Sequence, residues 1–109
     1  MLLDFSSMPA KTEHNFRGGL KDVVSKAFFD DSVKIILNRL EPGASIGKHT
    51  HTDDYEVMYI VEGVAESELD GCLDRLGPGM CQYCPQGHTH DLVNVGDTDL
   101  VFFAVLPRA

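Results

Sequence analysis

The chain has 109 residues, of which 43% are hydrophobic and 24% charged, and its formal net charge is -8. This length suffices for one hydrophobic core but not for two, so residues 1–109 are expected to form a single domain. Acidic residues are spread along the chain and Lys and Arg are not clustered, which argues against nucleic acid as a partner. No stretch has the roughly 18 consecutive apolar residues of a membrane span, and residues 1–11 do not resemble a secretory signal. We therefore expect a cytoplasmic protein without a membrane partner.

The predicted elements are strands, because turn signals recur at short intervals between β-branched or aromatic runs. Residues 1–17 are expected to be loosely ordered or to form an arm. Residues 20–29 could form a helix, but the pairs Val23-Val24 and Phe28-Phe29 favour a strand. No long helix is expected. The sequence predicts an all-β fold with strands near 24–29, 33–40, 45–51, 55–62, 64–69, 72–76, 80–84, 89–95 and 99–106.

Four side chains in these strands are candidate metal ligands. Residues i and i+2 of a strand share a face, so His49 and His51 can point together into the interior. The next strand returns after a short loop and can bring Glu56 opposite them, and the strand of His90 can lie alongside. Two histidines on a strand are equally typical of a surface or a hydrogen-bonded core. Imidazole and carboxylate ligation suits Mn, Fe, Co, Ni or Zn without selecting among them.

The spacing around these four residues follows two longer patterns. Residues 43–63 read G-x5-H-x-H-x4-E-x6-G, and residues 79–94 read G-x5-P-x-G-x2-H-x3-N. Both strings resemble the two motifs of the cupin superfamily, in the form of its small single-domain bacterial members. The resemblance implies a jelly-roll-like, double-stranded β-barrel. It also implies that one divalent transition metal per chain (Mn, Fe, Ni, Co or Zn) is held by His49, His51, Glu56 and His90.

The other motif positions are better explained as scaffold. The motif glycines fall where the chain must turn sharply or take a positive φ, and Asn94 is expected to satisfy backbone groups at a turn. His88 is either a proton carrier near the metal or, as we expect, a histidine on the rim. The three cysteines cannot all pair and are expected to be thiols. Because positions i and i+3 of a strand face opposite sides, Cys81 and Cys84 should divide between the core and the outside.

The strand that carries Glu56 also predicts a pocket and an interface. Met58 and Ile60 share the face of Glu56 and should line an apolar pocket that suits a small organic ligand. The opposite face of this strand is too apolar to meet water, and residues 100–106 are apolar on both faces, so we predict a homodimer.

The resemblance leaves two classes of function open. One is a metal-dependent enzyme, either a dioxygenase or a Lewis-acid isomerase, lyase or decarboxylase, with Glu56 as ligand and candidate base. The other is a non-catalytic module that binds or senses a small carbohydrate or carboxylate. A DNA-binding domain would not fit in the remaining residues, which argues against transcriptional control. The sequence does not separate the two classes.

Overall fold

The computed structural model describes all 109 residues, and the structure is all-β. Two 3₁₀ turns, Phe5–Ser7 and Phe16–Gly18, are its only helical segments, and neither could span a membrane. The ten strands are β1 (Lys11–His14), β2 (Asp22–Phe29), β3 (Val33–Leu40), β4 (Ser45–Thr50), β5 (Glu56–Glu62), β6 (Ala65–Leu69), β7 (Cys72–Leu76), β8 (Cys81–Cys84), β9 (Thr89–Asn94) and β10 (Leu100–Pro107).

The strands form two antiparallel sheets. The first has six strands in the order β1-β2-β3-β10-β5-β8, and the second has four in the order β4-β9-β6-β7. This arrangement confirms the predicted all-β, jelly-roll-like fold. The resemblance implied a β-barrel, and this is corrected in one respect: the two sheets are not closed into one continuous barrel.

All nine predicted strands are present, and their ends lie within two residues of the predicted ones. Residues 20–29 contain β2 and no helix, as their paired β-branched and aromatic residues indicated. The sequence did not predict β1, which pairs with β2 at the edge of the larger sheet, Lys11 opposite Ser25. Its residues, KTEH, include no hydrophobic side chain that would mark a strand.

The core lies between the inner faces of the two sheets. On β5 the buried residues are Glu56, Met58 and Ile60, which confirms the predicted alternation. On the outer face of this strand, Tyr59 is 48% exposed and Val61 is 40% exposed, so no second layer of this chain covers them. The homodimer stays a prediction. The core cluster consists of Val23, Leu40, Ala44, Ile46, Met58, Ile60, Ala65, Leu76, Leu92, Leu100, Phe102 and Ala104.

The turn residues of the motifs act as scaffold. Gly63 has φ +88°, and a Cβ there would lie 2.7 Å from the backbone oxygen of Asp99, so both its conformation and its contact require glycine. Asn94 is buried; its Nδ2 donates to the backbone oxygens of Leu40 and Thr98, both at 2.9 Å, and its Oδ1 accepts from the Gly96 N–H. The predicted backbone role of Asn94 is confirmed.

Candidate metal centre

A bulge in β4 directs His49 inward, and with it His51, the residue directly after the strand. The pairing of β4 with β9 changes register between Ile46, which faces Leu92, and His49, which faces His90. The extra residue lets Ile46 and His49 both point inward although they are three positions apart, as bulges in sheets allow. Regular alternation then places His51 on the same side as His49.

The four predicted ligands come together between the two sheets. His49 lies on β4, His51 directly after it, Glu56 on β5 and His90 on β9. The ring centroids of His49, His51 and His90 form a nearly equilateral triangle with sides of 5.0, 4.8 and 4.9 Å. The Oε1 atom of Glu56 lies 3.0 Å from His51 Nε2 and 2.8 Å from His90 Nε2. One ligand atom from each of the four residues lies within 4.8 Å of the others, so this group could hold one metal ion.

Hydrogen bonds at the far side of two rings set their orientation. His49 Nδ1 lies 2.7 Å from the backbone oxygen of Gly47, and His51 Nδ1 lies 2.7 Å from Asp54 Oδ1. Because a carbonyl and a carboxylate oxygen can only accept, each Nδ1 carries the hydrogen. The lone pair of Nε2 is then available at the cluster, which is the usual arrangement behind a metal-binding histidine.

The third ring is oriented by a chain of buried side chains. His90 Nδ1 donates to Gln82 Oε1 at 3.0 Å, and Gln82 Nε2 donates to Asp74 Oδ2 at 2.9 Å. Ser67 also donates to Gln82 Oε1, at 3.2 Å, and to the backbone oxygen of Asp91. Gln82 and Ser67 are buried. Neither Asp54 nor Gln82 was predicted from the sequence. Gln82 lies two residues before Cys84 on one strand and so shares its inward face, which was the one available signal.

The electrostatics of the cluster favour a cation. Burial lowers the pKa of His49, which keeps its ring neutral and able to bind a metal. The hydrogen bond to Glu56 raises the pKa of His51. Burial acts to raise the pKa of Glu56, but without a metal the rings of His51 and His90, when protonated at Nε2, donate hydrogen bonds that outweigh burial and lower that pKa to about 2. A bound metal ion would take the place of these Nε2 protons. Glu56 is therefore an anion at neutral pH in a buried position, where a divalent ion would neutralise it.

The cluster borders an inner cavity of about 120 Å³. Met58 lines this cavity as predicted, whereas Ile60 is buried in the core below it. The cavity lies next to a larger outer cavity of about 640 Å³, and His51 borders both. The inner cavity is further lined by Phe16, Arg17, Lys34, Ile36, Asn38, Ile46, Asp91, Leu92, Phe102, Ala104 and Leu106.

The weaker candidates lie outside this cavity. His88 is half-exposed and pairs with Asp70 at the surface, so it is the rim histidine that we expected. Cys84 is fully buried and Cys81 is exposed, which confirms the predicted division. All three cysteines are free thiols.

The donor set fits a transition metal. Three imidazole nitrogens and one carboxylate oxygen converge on one point, each ring has its other nitrogen occupied, and the site lies in a buried pocket. Nitrogen and oxygen donors of this kind suit first-row divalent ions. The structure thus brings together all four predicted ligands; that they bind an ion is proposed below.

The Cupin domain family model matches residues 36–106, which include the whole cluster. The chain belongs to the cupin family. A relative from Thermotoga maritima named oxalate-binding protein is 29% identical over 112 residues, which cover 97% of this chain and 93% of that protein.

Solved cupin structures have the same fold. A Thermotoga maritima crystal structure, described as that of a predicted oxalate decarboxylase, has a TM-score of 0.94 and 26% identity over 100% of both chains. A cupin from Silicibacter pomeroyi, described as a sugar phosphate isomerase, has a TM-score of 0.81 and 25% identity over 100% of this chain and 76% of that one.

Proposed function

We propose that this cupin binds one divalent transition metal through His49, His51, Glu56 and His90, and that the metal captures a small carboxylate, with oxalate as the first candidate. The observation that carries the proposal is the convergence of these four donors at a buried cavity, with the Nδ1 atoms of all three rings already in hydrogen bonds. Such an ion would supply a Lewis-acid centre with coordination positions left for oxygen ligands.

The size of the cavity favours a carboxylate over a carbohydrate. The inner cavity of about 120 Å³ has room for on the order of four water molecules. A two-carbon dicarboxylate fits this space, whereas a sugar ring would have to stay in the outer cavity, where His51 is the only one of the four ligands that lines the wall. The name of the Thermotoga maritima relative, oxalate-binding protein, supports the same ligand class.

Decarboxylation of the bound carboxylate is the second candidate, and the structural relative described as a predicted oxalate decarboxylase favours it. Losing carbon dioxide from oxalate requires a proton at the carbon that remains, to give formate. Two carboxyl groups line the inner cavity: Glu56, which is a candidate ligand, and Asp91, whose Oδ1 accepts from the backbone N–H of Glu68 at 2.8 Å. With Glu56 engaged as a ligand and Asp91 bound to the backbone, neither carboxyl group of the inner cavity is free to donate this proton. We therefore propose binding of the carboxylate ahead of its decarboxylation.

The test combines metal analysis with calorimetry on protein purified without an affinity tag. We expect about one equivalent of metal per chain, heat of oxalate binding only with metal present, and loss of both in His51→Ala. His14→Ala is the matched control, because His14 is exposed, pairs with Asp22 and lines neither cavity. Circular dichroism verifies that both variants fold. Full metal content in His51→Ala would refute the site. If formate and carbon dioxide form in the oxalate mixture, the protein is a decarboxylase, and that function replaces simple binding.

A further inference from the structure

We infer that Arg17 and Lys34 form a cationic gate that recognises the carboxylate charge not bound by the metal, so that the site selects dianions over monoanions. This inference rests on the proposed function, since it concerns the ligand of the same cavity. Both residues line the inner cavity and the outer cavity, and they therefore lie at the boundary between the two.

The register of the larger sheet places Lys34 level with Glu56. Lys34 pairs with Leu106 on β10, and Val105 pairs with Val57 on β5, so Leu106 lies between Lys34 and Glu56. Two strand spacings separate Lys34 from Glu56, which is about 10 Å between their backbones. A long lysine side chain can span most of that distance, and a small ligand on the ion would lie within its reach.

Arg17 is held at the cavity by close packing of its turn on β4. A Cβ on Gly47 would lie 1.9 Å from the backbone oxygen of Arg17, and a Cβ on Gly19 would lie 2.1 Å from that of Ser45. Only glycine at these two positions allows the turn to approach the strand that carries His49. Arg17 itself has φ 56°, a left-handed conformation that is unfavourable for a long side chain. Such a strained residue beside a ligand cavity is a common sign of a functional position.

The charges of the gate lack acidic partners, and the Arg17 guanidinium lies over the Phe16 ring, with its Cζ 5.6 Å from the ring centroid. Neither Arg17 nor Lys34 forms a salt bridge, whereas five other Lys and Arg side chains of the chain do. Three aspartates line the outer cavity. Asp30 accepts from the backbone N–H groups of Ser32 and Val33, Asp54 is bound to His51, and Asp53 lies beside them. At the inner cavity a divalent ion, Arg17 and Lys34 would together carry four positive charges, and Glu56 and Asp91 carry two negative ones, which leaves an excess of two. A dianion balances this excess better than a monoanion does.

The inner wall also offers an unused polar group. Asn38 is only 6% exposed and lines the inner cavity, on the same face of β3 as Lys34. Its one hydrogen bond is a long contact of 3.4 Å from Nδ2 to the Ile36 oxygen, and its Oδ1 accepts none. No fully buried side-chain N or O atom of the chain lacks a hydrogen-bond partner, so the Asn38 oxygen is open to the cavity, where water or a polar ligand can pair with it.

The experiment measures the affinity of metal-loaded protein for oxalate and for acetate by calorimetry, in wild type, Arg17→Gln and Lys34→Gln. Arg39→Gln is the matched control: it removes one positive charge from the outer face of the same strand β3, where Arg39 pairs with Asp99. Metal content is determined for every sample. We expect each gate variant to bind oxalate roughly tenfold more weakly or worse, with full metal content and a smaller change for acetate.

Each other outcome contradicts the inference in its own way. Oxalate affinity in the gate variants equal to that of Arg39→Gln would overturn the gate while leaving the proposed function intact. Loss of metal from a gate variant would show that the residue supports the structure of the metal site and does not recognise the ligand. An equal loss of affinity for oxalate and for acetate would show that the gate does not select dianions over monoanions. If wild type binds neither anion although it holds metal, the proposed function itself fails and the gate fails with it.

Discussion

Replacing Gln82 by leucine should weaken metal binding without touching a ligand. In the structure, Gln82 Oε1 accepts the Nδ1–H of His90, a ring that is only 1% exposed. Leucine keeps most of the volume but accepts no hydrogen bond. The Nδ1–H of His90 would then have no partner, and the ring could rotate or change tautomer, which removes the Nε2 lone pair from the cluster.

Two magnitudes follow from these contacts. Loss of a partner behind a metal-binding histidine costs 10- to 100-fold in metal affinity, which is about 1.4–2.8 kcal/mol. A buried donor without a partner lowers the free energy of unfolding by about 1–3 kcal/mol, and Tm should fall by several degrees. Ser67 keeps its second acceptor, the backbone oxygen of Asp91, and half-buried Asp74 can bind water, so they should add little.

The assay is competition for metal against a chromogenic chelator, alongside thermal unfolding of the metal-free protein. A double substitution, Gln82→Glu with Asp74→Asn, reverses the hydrogen bond between positions 82 and 74, because the new amide donates and the new carboxylate accepts. The carboxylate at position 82 also accepts from His90 again. We expect this double variant to recover metal affinity to near the wild-type value. Wild-type affinity in Gln82→Leu together with a reduced Tm would show that Gln82 only packs, and would refute the reasoning.

Two further predictions concern buried groups beside the site. Asn38→Leu should raise the free energy of unfolding by about 1 kcal/mol, because it removes a buried amide with one weak hydrogen bond, and should weaken oxalate binding. Urea unfolding and calorimetry measure both effects, and a less stable variant would contradict this account. Iodoacetamide at pH 8 should modify two of the three cysteines in native protein, because Cys84 is fully buried and burial raises its pKa to about 11. Intact mass reports the count, and three adducts formed at similar rates would show that Cys84 is accessible.

The motifs predicted the ligands because they encode local geometry. Alternation along a strand placed His49 and His51 on one face, and glycines at positive φ marked the turns between strands. The strand ends followed from these turns. The bulge in β4 was not predicted, since the sequence near Gly47 does not show which residue stays unpaired.

Gln82 and Asp54, which form hydrogen bonds to the ligand rings, could not be predicted from the sequence for a physical reason. Gln82 lies on β8 and His90 on β9, and these strands belong to different sheets. Their contact exists only once the two sheets face each other, and no periodicity within one strand records it. Asp54 stands in a short loop, where a polar residue is expected regardless of whether it supports His51.

The N-terminal segment shows the same limit more strongly. Residues 1–17 carry little hydrophobic pattern, so the sequence suggested an arm, yet Arg17 borders the cavity. Its position depends on Gly19 and Gly47, each of which tolerates a backbone atom about 2 Å from where a Cβ would stand. Glycine at these sites is explained by that approach and not by a turn, because neither has a positive φ. An N-terminal segment without a regular hydrophobic pattern can therefore complete a cavity when glycines on the facing strand let its backbone dock.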